Sequence, residues 1–449
     1  MSFALRRTGP FSARTRRLLG TAAASYLARL CAALTLLLTV PLARSTMSAD
    51  RFGLWMMLGS LLSFFAFADL GIGNGVLAQL TQALHRNDSA SATGRIMRAG
   101  YACSLLGAFG LLLGWVLWVG LSSDPLRFAG HIAPQLRGEA LIGISTFVGL
   151  MGLNLVLQLG QKFQLAYQDG HWIGYTQVAS SLGTVVALPI ALWLRAPLSI
   201  LVACTLGSQA LALGLSTILW FRHRHLGPSL QQASLHGATV KGLLQTGLMF
   251  FTLQLSAAFA YQSDAFVITQ ELGTAAYGDF AAIQRIFLSV GTLVGAALLG
   301  LWPAFSEAMA RGDVRWARHT YFRALGVGTG IMGSVCALIT FGMPLIAKHW
   351  LHMTAPPTIL MPLVLSIWTV IDTLGQITGT LLNGAGVLRA QLLVALMMAG
   401  FAFWAKWVFV SHFGPWGAVL ATIVAYTLIS VPAQIWLVRP LLSSKVAAT

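Results

Sequence analysis

Charge is scarce in this sequence. Only 9% of its 449 residues are Asp, Glu, Lys or Arg, against about 25% in a soluble globular protein. So few charges cannot cover an aqueous surface, which excludes a soluble enzyme and a disordered chain. Acid is scarcest: 12 carboxylates face 28 Lys and Arg, for a formal net charge of +16. In a soluble chain that excess would suggest nucleic acid. On an apolar background it reads instead as cytoplasmic-loop charge, and as attraction to anionic headgroups or an anionic lipid-linked substrate; no nucleic-acid partner is expected.

Cysteine is rare too. Cys31, Cys103, Cys204 and Cys336 lie far apart, each inside an apolar stretch. Without a CxxC they read as small buried side chains, not as disulfides or metal ligands. The pairs His223/His225 and His349/His352 have no carboxylate or cysteine close by in sequence, so no metal site is assigned. There is no HExxH, no Walker motif, no Ser/His/Asp set and no glycosidase-like carboxylate pair. No catalytic residue, cofactor or direct use of ATP is expected, and the chain is not read as an enzyme.

What is present is hydrophobicity: 57% of the residues are apolar. A membrane-crossing helix takes about 20–25 residues. Apolar runs between polar breaks predict twelve, near 18–42, 52–80, 96–120, 140–160, 172–194, 197–221, 242–268, 277–303, 321–346, 357–382, 388–411 and 416–438. The fold class is an all-α polytopic membrane protein. Lys and Arg divide 19 to 7 between the tail with even-numbered connections and the odd-numbered connections, when Lys406 is assigned to the outer end of span eleven. By the positive-inside rule both termini are then cytoplasmic. The arginine-rich tail (Arg6, Arg7, Arg14, Arg16, Arg17) precedes an apolar run too long for a signal peptide, so it reads as a retained anchor.

The two halves also echo each other. At one constant offset, Phe52-Gly53 aligns with Tyr277-Gly278. The same offset aligns Ala83, Arg86, Asp88, Ala92, Arg98 and Ala99 with Ala308, Arg311, Asp313, Ala317, Arg323 and Ala324. Two six-helix lobes, 1–221 and 242–449, are expected in parallel repeat, joined by a basic cytoplasmic linker at 222–241.

Ionisable groups inside a bilayer cost about 2.5–3.5 kcal/mol at a helix centre, so each must face a partner or water. The candidates are Arg29, Asp69, Asp264, Arg285 and Asp372. Similar depths allow Arg29–Asp69 and Asp264–Arg285 pairs. These either neutralise charge and pin helices, or leave arginines lining a cavity that binds an anion such as phosphate. In Asp69-Leu70-Gly71-Ile72-Gly73-Asn74-Gly75, alternating glycines predict a weakened helix with close backbone approach, not a nucleotide loop. Gly110/Gly114 and Gly291/Gly295 read as close-packing pairs, and tryptophans such as Trp118 and Trp404 as interface anchors.

The runs Arg51-Phe52-Gly53-Leu54-Trp55, Phe67-Ala68-Asp69-Leu70-Gly71-Ile72-Gly73 and Ser263-Asp264-Ala265-Phe266-Val267-Ile268, with Leu272-Gly273, Tyr277-Gly278 and Ile283-Gln284-Arg285 following, carry a family likeness. The chain resembles the polysaccharide transporter family, the Wzx-type flippases of the multidrug/oligosaccharidyl-lipid/polysaccharide (MOP) superfamily. The resemblance implies translocation of a polyprenyl-diphosphate-linked oligosaccharide across a bacterial inner membrane by alternating access, for O-antigen, capsule or exopolysaccharide synthesis. It implies substrate-binding roles for Arg29, Arg51 and Arg285, and ion-pair or coupling roles for Asp69, Asp264 and Asp372. Membrane lipids, a polysaccharide polymerase and export machinery are the implied partners. A multidrug or cation antiporter of the same superfamily is one alternative. An integral-membrane polymerase or glycosyltransferase is another, although no outer loop exceeds about twenty residues.

The charge split makes a direct prediction. Introduced cysteines at both termini and in 222–241 should resist a membrane-impermeant reagent applied from outside; labelling of either terminus would reverse the assignment.

Overall fold

The computed structural model describes residues 10–65, 71–86, 88–127, 132–226, 237–298, 301–353 and 357–443. Among them there is no strand. In order the helices are α1 (Pro10–Thr46), α2 (Ala49–Phe65), α3 (Ile72–His85), α4 (Ala90–Leu121), α5 (Arg137–Leu157), α6 (Leu159–Ala166), α7 (His171–Trp193), α8 (Leu198–Val202) and α9 (Ser208–Arg224). There follow α10 (Gly237–Tyr261), α11 (Asp264–Leu272), α12 (Thr274–Leu298), α13 (Leu301–Ala310), α14 (Val314–Leu345), α15 (Leu360–Gly384), α16 (Leu388–Phe413), α17 (Gly417–Ala425) and α18 (Val431–Leu442). A lipid environment explains the monotony, because hydrocarbon offers backbone amides no partner outside their own helix.

Nine helical stretches among the described residues are long and apolar enough to cross a membrane. The three other runs read from the sequence each fall on two described helices: α2 with α3, α10 with α11, and α12 with α13. Within expected span two (52–80) the described helices are α2 and α3. Gly71 caps α3 in the left-handed region at φ 71°, and a Cβ there would lie 2.0 Å from the Gly247 carbonyl oxygen. The close backbone approach expected of the glycine run is met. Span seven breaks before Asp264, and α11 ends at Gly273 with φ 87°.

The chain forms two compact units that interleave along the sequence. The first comprises Met1–Thr39, Ala68–Ser122 and Ile142–Phe251; the second comprises Val40–Phe67, Ser123–Leu141 and Thr252–Thr449. Residues 40–67, and α2 with them, group with the later helices. In the first unit Ile72, Val76 and Leu80 of α3 pack with Met97 of α4, Phe163 of α6 and Trp220 of α9. In the second, Phe305 and Ala308 of α13 pack with Tyr321 of α14, Leu381 of α15 and Val438 of α18.

The sequence echo between the halves recurs in local structure. Asp88 N–H donates to the Ala83 carbonyl at 3.0 Å, and Asp313 N–H to that of Ala308 at 2.9 Å; Arg86 and Arg311 donate likewise to Gln82 and Glu307. Each turn leads into a 32-residue helix capped by a side chain, Ser89 accepting from Ala92 N–H and Asp313 from Trp316 N–H. Within the second unit, an equivalent pair meets itself. A Cβ on Gly278 would lie 2.7 Å from the Gly53 Cα, and one on Gly53 only 1.8 Å from the Thr274 carbonyl oxygen. Glycine at both positions lets α2 and α12 cross backbone to backbone, the contact that replaces hydrophobic driving force between helices in lipid.

The glycines expected to pack as GxxxG pairs differ. A Cβ at Gly110, Gly114 or Gly291 meets nothing within 4 Å, so these three positions face open space. Close contacts fall instead at Gly53 and Gly278, which carry no such spacing, and at Gly71 and Gly75, which do.

Gly53→Ala should therefore lower the yield and melting temperature of the folded protein sharply, since overpacking costs about 1–3 kcal/mol or more. Gly110→Ala should leave both within about 0.5 kcal/mol of the parent. A thermal-stability assay in detergent separates the two.

Candidate functional site

The α2–α12 crossing sets the site. One helical face of α2 presents Trp55, Gly59 and Ser60 toward α12. Tyr277 and Arg285 of α12, eight residues and about 80° of rotation apart, both reach α2. The Tyr277 hydroxyl hydrogen-bonds Ser60 Oγ. The Arg285 guanidinium lies 6.0 Å from the Trp55 ring centre, within cation–π range. A Cβ on Gly59 would sit 2.4 Å from an Arg285 terminal nitrogen, so Gly59 makes the room the guanidinium occupies. Arg285 stands eleven residues into α12, about 17 Å along it, near mid-membrane depth. Among the described residues no carboxylate lies within ion-pair distance of it.

Asp264 does not pair with Arg285. Its Oδ1 lies 2.6 Å from Nζ of Lys406 on α16, and the Lys406 side chain is 0% exposed. Lys406 also donates to Ser263 Oγ at 3.0 Å, and Gln284 Nε2 donates to Asp264 Oδ2 at 3.0 Å. This corrects the placement of Lys406 at the outer end of span eleven: it is a buried charge, and the odd-numbered connections keep six cations, not seven. The signal for it was present, since Lys406 has only apolar neighbours in Phe401-Ala402-Phe403-Trp404-Ala405-Lys406-Trp407. Finding its partner, four spans earlier in the chain, required the fold.

The remaining expected residues separate. Arg51, at the start of α2, pairs with Glu139 at 2.7 Å. Arg44, at the end of α1, pairs with Asp279 of α12 at 3.0 Å, a contact the sequence reading did not foresee. Arg29 lies on α1 in the first unit, half-buried. Asp69 lies outside the described residues. Asp372, half-buried on α15, accepts from Gln376 Nε2 one turn on at 2.7 Å.

The first unit holds a second polar cluster missed in sequence. Buried Asp169 accepts from Arg224 Nη2 at 2.6 Å and Nε at 2.8 Å, and from Trp220 Nε1 at 2.9 Å. Arg224 also lies 5.8 Å from the Tyr167 ring centre. With three donors converging on its carboxylate, this cluster fastens α9 to the α6–α7 turn. In the connection before α5, a hydrogen bond from Arg137 holds the Asp124 carboxyl below its usual range.

The fold is similar to that of solved transporters described as belonging to the MOP superfamily. No protein-family profile and no curated protein matches the sequence, but solved structures match over nearly the whole chain. An inward-facing multidrug resistance MATE family transporter of the MOP superfamily is similar at TM-score 0.75 with 16% identity, over 95% of this chain and 96% of that one. An outward-facing MATE family transporter is similar at TM-score 0.64 with 14% identity, over 96% of both chains. A MOP superfamily transporter from Pyrococcus furiosus, described as having a binding pocket of reverse polarity that suggests a different function, is similar at TM-score 0.60 and 14% identity, over 95% of each chain.

Lys406→Met strands the Asp264 charge and should destabilise the protein by about 3–5 kcal/mol. Lys406→Met with Asp264→Asn should recover most of that loss. Melting temperatures of the single and double variants test the pairing; an unrecovered double variant would assign the loss to packing.

Proposed function

We propose that this chain is a transporter that moves a polyprenyl-diphosphate-linked oligosaccharide from the cytoplasmic to the outer leaflet of a bacterial inner membrane. It works by alternating access. The shared fold with transporters solved facing inward and outward supports the mechanism class. Two six-helix lobes in parallel repeat, with both termini and 222–241 cytoplasmic, form its framework; the recurrence between the halves and the Gly53–Gly278 contact between equivalent residues support that layout.

The observation that carries the substrate assignment is Arg285. Of the deep charges described in the second unit, Asp264 is neutralised by Lys406 and Asp279 by Arg44. Arg285 is left against an aromatic face, a cation in a low-dielectric setting with donors to spare. Such a group favours an anion, and its planar fork suits phosphate oxygens. A diphosphate is the anionic part of a lipid-linked oligosaccharide, and Arg29 on α1 is assigned to the same recognition. Arg51, already engaged by Glu139, serves at the entrance. The sugars would be handed onward to polymerase and export machinery.

Asp372 favours a second reading. Its side-chain partner is the neutral Gln376, and solved structures of this fold are described as multidrug transporters. A cation antiporter would need such an acid. Pocket polarity therefore decides between the two readings.

Arg285→Ala should cut surface-polysaccharide export at least tenfold in a strain lacking its own flippase, with protein abundance unchanged. Arg285→Lys should keep part of it, because charge survives without the fork. Full export by the combined Arg29→Ala and Arg285→Ala variant would end the diphosphate assignment. Drug resistance conferred by the wild type and abolished by Asp372→Asn would establish the antiporter instead.

A further inference from the structure

Within the second unit, α14, α15 and the α17–α18 segment enclose a cavity of about 790 Å³. Its lining is divided by chemistry. One end carries Arg318, in the second turn of α14, and Arg439, in the last turn of α18. Beyond them the walls are apolar, with Phe322 and Leu325 on α14, Leu374 on α15 and Ile435 on α18. Phe322 is 56% and Ile435 47% exposed. The groove therefore opens at the surface of the unit through an apolar face, the kind of surface that lipid covers.

Thr427 also lines the groove, and the other polar side chains along its length bond one another. The Tyr321 and Thr378 hydroxyls bond each other at 3.1 Å, and Gln434 donates to the Tyr426 hydroxyl at 2.8 Å. Tyr426 reaches its place because α17 passes into a π-helical turn at Tyr426–Ser430 and because Gly375 leaves space; a Cβ there would lie 2.1 Å from the tyrosine oxygen. The two arginines are different. Neither has an ion pair or a side-chain hydrogen bond among the described residues. From Arg439 to Tyr426 the groove runs thirteen residues, about 20 Å, which exceeds the roughly 15 Å depth of one leaflet's hydrocarbon.

A ligand that fits must be anionic at one end and a flexible hydrocarbon for the rest. A soluble anion would leave the apolar walls unused, and a sugar would find few polar groups past the mouth, most of them bonded to one another. We propose that this groove holds an anionic phospholipid, such as phosphatidylglycerol, of the leaflet on the C-terminal side. Its phosphate sits on Arg318 and Arg439, and one acyl chain lies along α15 between α14 and α18. The site is separate from the α2–α12 crossing, and its test reads binding rather than transport.

The test uses the full chain in nanodiscs of equal phosphatidylcholine and phosphatidylglycerol, with retained lipid counted by native mass spectrometry. The wild type should keep phosphatidylglycerol in preference. Arg318→Ala with Arg439→Ala should lower that retention roughly twenty-five-fold, from about a factor of five per arginine. Ile435→Trp, which fills the groove and spares both arginines, should lower it as well. Melting temperatures in phosphatidylcholine alone should match across the three proteins, so lost lipid is not lost fold. Equal retention of the two lipids by the wild type would overturn the proposal. So would unchanged retention by the double arginine variant, or displacement of the lipid by millimolar inorganic phosphate.

Discussion

Inside a bilayer, an unpartnered peptide group or charge has no water to turn to, and this single constraint shapes the molecule. Helices satisfy the backbone along their length. Wherever a helix stops at depth, the freed groups must be covered by protein. At Gly71 the chain turns in the left-handed region with the backbone at Gly247 directly against it. At the start of α12, Gly53 packs directly on the Thr274 carbonyl. In each case a side chain would hold the partner off, so glycine is a condition of the close approach.

The same constraint governs the charges. Burying an ion is tolerated when a counter-ion and hydrogen bonds complete its shell. Asp264 meets this with Lys406 and Gln284, and Asp169 with Arg224 and Trp220. Arg285 meets it only halfway, through the face of Trp55. A partly satisfied cation is held at a cost, and a ligand anion can remove that cost. The electrostatics of α12 thus separate Asp279, which has a counter-ion, from Arg285, which has an aromatic face.

Much of this could be read in the residues. Apolar run length marks the crossing helices, because the bilayer fixes how long they must be. Alternating glycines mark the break before α3, because only glycine takes the conformation needed there without strain. Partner choice could not be read. Asp264 has Arg285 on the next span and Lys406 four spans on, and which one it meets depends on how α11, α12 and α16 are rotated. The Gly110/Gly114 spacing misled for the same reason, since spacing puts two glycines on one face without saying whether that face meets a helix or lipid. Lys406 was misplaced because a charge count treats every cation as a topology signal, whereas a lysine among aromatics is held by a partner.

The crossing of α2 and α12 has a mechanical meaning. Two helices that touch through side chains can slide, as rotamers yield one after another. Gly53 and Gly278 touch with no side chains between them, and backbone does not yield. The pair therefore behaves as a pin joint: the helices can swing about this point but cannot slip past it. Displacement then grows with distance from the pin. Arg285 lies seven residues beyond Gly278, about 10 Å along the lever arm, so a small change of angle at the glycines becomes a translation of the guanidinium.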